Sequence, residues 1–83
     1  MSNINLHQKI VEAYNNYVID SDIEKFQNLL ETCLTAMERH SQNDLSSIKE
    51  IMNDIEYIRF MYQEEEQPFQ VERVMIKLKN LFE

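Results

Sequence analysis

Two histidines, one cysteine and fifteen acids are the groups in this 83-residue chain with the means for chemistry. His7 and His40 stand alone, with no Glu-x-x-His or His-x-x-x-His pair around them, so neither begins a metal site. His7 reads as a surface residue and His40 as the end of a helix. Cys33 has no partner for an intrachain disulfide, and four-cysteine zinc sites are excluded. A catalytic thiol needs a base and an orienting group. Cys33 instead falls on an apolar stripe, where free cysteine behaves as a small hydrophobe. Paired carboxylates catalyse when they face each other across a cleft. The acids here are dispersed around helix exteriors and read as a solvated face. The chain has no glycine, which disfavours phosphate-cradling loops and nucleotide fingerprints. The expectation is therefore a protein that is not an enzyme, with no metal site and no cofactor.

Recognition is the chemistry that remains. Glu50, Asp54, Tyr57, Met61 and Glu64 recur at spacings of 4, 3, 4 and 3. On a helix that rhythm draws a second line, about 120° from the apolar stripe of the same segment. Phe60 lies beside it. The line mixes carboxylates with an aromatic ring and a thioether, side chains favoured where proteins meet. Glu50, Asp54, Tyr57, Phe60, Met61 and Glu64 are thus the candidate partner-binding residues. Tyr57 and Met61 would be anchors, and the acids would steer a partner with a basic surface. Phe69 and Ile76 form a similar surplus further on, with Arg73 and Lys77 near them. The competing assignment puts Tyr57 and Met61 into the core, under the first or fourth helix.

Four helical segments position these groups. The first spans about 5–19, with Leu6, Ile10, Ala13, Tyr14, Tyr17 and Val18 on one stripe and Asn3 or Asn5 as cap. The second spans about 22–40. It opens on Ser21-Asp22-Ile23-Glu24, which reads as a capping box with Ser21 as cap and Glu24 reaching back. Ile23, Phe26, Leu30, Cys33, Leu34 and Met37 mark its apolar face, and Arg39 and His40 suit its C-terminal dipole. After the joint Ser41-Gln42-Asn43-Asp44, with Asn43 or Asp44 as cap, the third spans about 44–63. Its stripe is Leu45, Ile48, Ile51, Met52, Ile55, Ile58 and Tyr62. Three glutamates and Pro68 then break the chain near 64–67, because proline suits a first helical turn and disfavours helix geometry before it. The fourth segment spans about 68–82, with Val71, Val74, Met75, Leu78, Leu81 and Phe82 inward. A kinked continuation of the third helix is the rival. Short joints make neighbours antiparallel. The expected fold is all-α: one domain over residues 1–83, a small antiparallel bundle of three to four helices around a central helical hairpin.

Composition bounds the partners. The net charge is −7, which argues against nucleic acid and anionic membrane. The acidic edge of the second line also disfavours a membrane-surface helix, and no apolar run approaches the ~20 residues of a span. One cysteine, and an N-terminus without a basic stretch before an apolar block, make a cytoplasmic setting the expectation. Charge concentrates between residues 43 and 66, where seven acids face Lys49 and Arg59. Nine isoleucines accompany only two alanines, a surplus of bulky side chains. Three functions fit these features. The first is a stoichiometric protein-binding module, acting as inhibitor, chaperone or adaptor. The second is an obligate helical homodimer or larger oligomer. The third is an acidic mimic of nucleic acid aimed at a DNA-binding protein.

Overall fold

Apolar residues repeating every three to four positions give each segment one face that water disfavours, and four such faces close into one core. The computed structural model describes residues 3–40 and 45–82. Its helices are α1 (Asn3–Asp20), α2 (Ile23–His40), α3 (Leu45–Met61) and α4 (Gln67–Phe82). Their ends differ from the expected ones by one or two residues. Each helix packs chiefly on its sequence neighbour, and a lighter contact between α1 and α4 closes the ring. The result is the expected all-α bundle, with four helices. The pairs α1/α2 and α3/α4 pack more extensively than the α2/α3 pair between them. The radius of gyration, 12.0 Å, matches the ~12 Å of a compact chain of this length.

The core takes Leu6, Ile10, Ala13 and Tyr17 from α1, and Phe26, Leu30, Cys33, Leu34 and Met37 from α2. From α3 come Ile48, Ile51, Ile55 and Ile58, and from α4 Val71, Val74 and Leu78. Burying each large side chain contributes about 1.5–3 kcal/mol. The ring of Phe26 lies 5.4 Å from Tyr17 and 6.3 Å from Tyr14. Val18 and Leu45 fit their stripes by spacing, yet both are exposed. Each sits within two residues of a helix end, beyond the reach of the neighbouring helix. His7 corrects the surface assignment: it is half-buried and stacks on Phe82 with centroids 4.6 Å apart, joining α1 to α4.

The corner between α1 and α2 departs from the capping box. Ser21 has φ 58°, and its N–H donates to the Tyr17 carbonyl at 2.7 Å, so it ends α1 rather than beginning α2. Asp22 takes over as cap, its Oδ1 accepting from Lys25 N–H at 3.1 Å. Asp22 N–H in turn donates to Asp20 Oδ1 at 2.9 Å. Glu24 does not reach back; it pairs with Arg59. The physical reason is the brevity of the link. With two residues between helices, the first must reverse the chain, and only the second is free to cap.

Asn5 lies inside α1 and is not its cap, because the helix already includes Asn3. The expected caps at Asn43 and Asp44, and the joint 41–44, lie outside the described residues, as do the side chains of Asn3 and His40. The break before α4 is real, so the kinked continuation does not occur. Glu66 N–H and Gln67 N–H both donate to the Gln63 carbonyl, at 2.9 and 3.1 Å, which turns the chain through residues 64–66. Pro68 then falls in the first turn of α4, where its missing N–H has no cost.

Candidate functional site

Helix α3 turns its four isoleucines inward at i, i+3, i+7 and i+10, which leaves the opposite side without a packing partner. Tyr57, Phe60 and Met61 stand on that side, with exposures of 56%, 66% and 65%. They are not buried, so the competing assignment of Tyr57 and Met61 to the core does not hold. With Asn53 and Glu56 they line a shallow depression. Tyr57 also borders the groove between α3 and α4, across from Gln70, Arg73 and Lys77. Its ring meets Tyr62 edge-on at 5.9 Å, and the Arg59 guanidinium lies 4.8 Å from the Phe60 ring centroid. These contacts hold two of the three exposed side chains in place.

The carboxylates of the line divide into two groups. Lys77 of α4 donates to Asp54 at 2.6 Å and pairs with Glu50 at 3.7 Å. The hydrogen bond to Asp54, above all, raises the Lys77 ammonium above its ordinary range. Glu50 and Asp54 are therefore bound up with the α3/α4 seam, where the single ammonium of Lys77 answers one of their two charges. Glu64 lies in the turn after α3 and is exposed. It is near enough to Tyr17 to help raise that phenol, after burial and Tyr14. Of the six expected residues, Tyr57, Phe60, Met61 and Glu64 thus share one end of α3, while Glu50 and Asp54 belong to a salt-bridged seam nearer its start.

Sequence reasoning missed a polar network behind this face. Arg59 points toward α2, where it donates to Gln27 Oε1 at 2.8 Å and pairs with Glu24 at 3.2 Å. Gln27 is buried and donates onward to Glu31 at 3.2 Å. Its signal was present: it sits between Phe26 and Leu30 on an apolar stripe, where a polar side chain must find a partner. Gln67, also buried, donates to the carbonyls of Tyr62 and Arg59 at 3.2 and 3.4 Å and so closes the end of α3. Both glutamines fix the helix end that carries the exposed aromatic residues.

Cys33 is buried, and burial pushes its thiol upward, with Lys9 opposing weakly, so it is a poor nucleophile in the folded chain. Among the described residues no group of three His, Cys, Asp or Glu is arranged to hold a metal ion. No described helix is long and apolar enough to cross a membrane. No protein-family model matches the chain, and no curated protein or solved structure matches it.

Proposed function

We propose that the chain is a non-enzymatic protein-binding module that acts stoichiometrically, as an inhibitor, chaperone or adaptor, by presenting the outer face of α3 to another protein. One observation carries this reading. Tyr57, Phe60 and Met61 stand in water while Ile48, Ile51, Ile55 and Ile58 fill the core side of the same helix. Single exposed apolar residues are ordinary, but an aromatic pair with a methionine in a little over one turn is the composition interfaces favour. The test is affinity capture from cells that make the chain, with the wild type beside Tyr57→Ala/Met61→Ala. The variant is expected to keep its helical signal and thermal midpoint, since neither residue fills the core. It is expected to lose the specific partner, each substitution weakening the complex by more than about 1 kcal/mol, or fivefold. An identical set of captured proteins with both chains would sink the reading.

A second reading, the obligate oligomer, draws on α4. Phe69 and Ile76 stand opposite its buried side with exposures of 71% and 57%. Light scattering separates the two. A monomer at micromolar concentration rules out the obligate oligomer and leaves the binding module standing. Nucleic-acid mimicry has less behind it, because Lys77 sits among the carboxylates that would have to imitate phosphates.

A further inference from the structure

Some acidic residues of the bundle are paired internally: Asp20 with Lys25, Glu24 with Arg59, and Glu50 and Asp54 with the single cation of Lys77. Others, among them Glu12, Glu38 and Glu72, have no cation partner among the described residues, and four more lie near the exposed end of α3 or in the turn after it. Glu56 stands four residues before Phe60 and lines the same depression. Glu64, Glu65 and Glu66 form the turn immediately after that helix. All four are exposed, and none of their carboxylates meets a cation among the described residues. Arg59, the base within this stretch, commits its charge to Glu24 of α2 while its guanidinium also lies against the Phe60 ring. The apolar patch is therefore edged by Glu56, and three more carboxylates without a cation partner among the described residues lie in the turn that follows α3.

We propose that this face receives a cationic amphipathic helix of a partner protein, its apolar side chains seated on Tyr57, Phe60 and Met61 and its Lys or Arg side chains against Glu56 and the turn 64–66. The proposal rests on the binding-module reading and gives its partner a chemistry. Tyr57 and Met61 are one turn apart, about 6 Å along α3, which suits the i, i+3 and i+4 anchors of a helix laid along a shallow groove. Carboxylates at the edge of such a seat accelerate encounter with a basic ligand and reject acidic ones. A second copy is the wrong occupant for this end, because it brings a net charge of −7 and the same four carboxylates to meet like charge. Arg73 borders Tyr57 from the α4 side and carries no ion pair among the described residues. It limits the acidic edge, so the ligand lies along α3 toward the turn and not across onto α4.

The experiment uses the full chain and a labelled Leu/Lys peptide of roughly five helical turns, with Leu at i, i+3 and i+4. Fluorescence anisotropy compares it with a Leu/Glu version and with a scrambled Leu/Lys peptide of equal charge. The amphipathic Leu/Lys peptide is expected to bind at least about tenfold more tightly than the scrambled one, and the Leu/Glu version not at all. Glu56→Gln/Glu64→Gln is expected to weaken it about tenfold and to flatten its salt dependence. Glu12→Gln/Glu72→Gln, the same charge change on exposed positions of α1 and α4, should move it less than about twofold. Arg73→Ala should tighten binding or leave it unchanged. Equal binding of the scrambled peptide, equal loss in the Glu12/Glu72 pair, or loss in Arg73→Ala overturns the proposal. So does a dimer that disappears in Tyr57→Ala/Met61→Ala, which would make a second copy the occupant. A natural partner lost with Tyr57→Ala/Met61→Ala but kept by Glu56→Gln/Glu64→Gln defeats the cationic helix alone. A natural partner indifferent to both variants defeats the binding reading beneath it.

Discussion

Tyr17, Cys33 and Lys77 each hold a proton more tightly in the fold than in an open chain. Burial does this for Tyr17, with Tyr14 and Glu64 adding to it. Burial also does it for Cys33, against a weak opposing pull from Lys9. For Lys77 the chief cause is the hydrogen bond to Asp54. A raised value means the folded state binds the proton that the unfolded state has released. The associated stability is complete below the unfolded values and is lost as pH climbs through the folded ones. The lowest of the three ordinary values is that of Cys33, 9.0, followed by 10.0 for Tyr17. The urea midpoint is thus expected to hold steady just below pH 9.0 and to fall above it. Tyr17→Phe keeps the ring beside Phe26 and removes the titrating phenol, so it should flatten the part of the fall that begins near 10.0. A midpoint that stays level through this range, or a fall unchanged in Tyr17→Phe, contradicts the assignment. Lys77 adds little to this effect, since its side chain is 47% exposed and solvent screens the pair.

At the scale of elements, the α1–α2 corner concentrates its demands on two residues. Ser21 occupies left-handed space, which is unfavourable for an L-residue by about 1–2 kcal/mol. Ser21→Gly relieves that and adds a smaller entropic penalty, so a gain of about 0.5–1 kcal/mol is expected in chemical denaturation. Asp22→Ala removes the cap of α2 and should cost about 1 kcal/mol. If Ser21 were the cap, the signs would differ: Ser21→Gly would bring no gain and Asp22→Ala little loss. The sequence Ser-Asp-Ile-Glu is compatible with either register. What decides between them is where α1 stops, a matter of the Tyr17 carbonyl and not of the motif. The helices themselves were legible because the isoleucines and leucines keep a 3.6-residue rhythm and proline marks the last break. Tyr57, Phe60 and Met61 were legible as off-stripe residues for the same reason. The capture of Glu50 and Asp54 by Lys77 was not, because it depends on how α4 registers against α3, 23 residues away in sequence for Asp54. The roles of Gln27 and Gln67 are not legible either, because a glutamine's type alone does not reveal the burial that commits each amide to hydrogen bonds.

The molecule as a whole separates its duties by location. Ion pairs and buried amides brace the seams, the apolar stripes fill one core, and exposed rings stand at the end of α3 with the unpaired carboxylate of Glu56 beside them, among the described residues. Helices adjacent in sequence make the main contacts, and a lighter α1–α4 contact, with its His7–Phe82 stack, joins the first helix to the last. That arrangement has a consequence in time. Loop closure is the slow ingredient of folding, and here almost every favourable contact is reached by closing a loop of a few residues. Temperature-jump relaxation is expected to show a single phase between microseconds and milliseconds, as for other bundles dominated by local contacts. His7→Ala should leave that folding rate nearly unchanged and speed unfolding, because the seam it supports is the last to close. A chain that finds its shape so quickly is expected to leave its core isoleucines and leucines little time, after synthesis or stress, to meet the wrong surface.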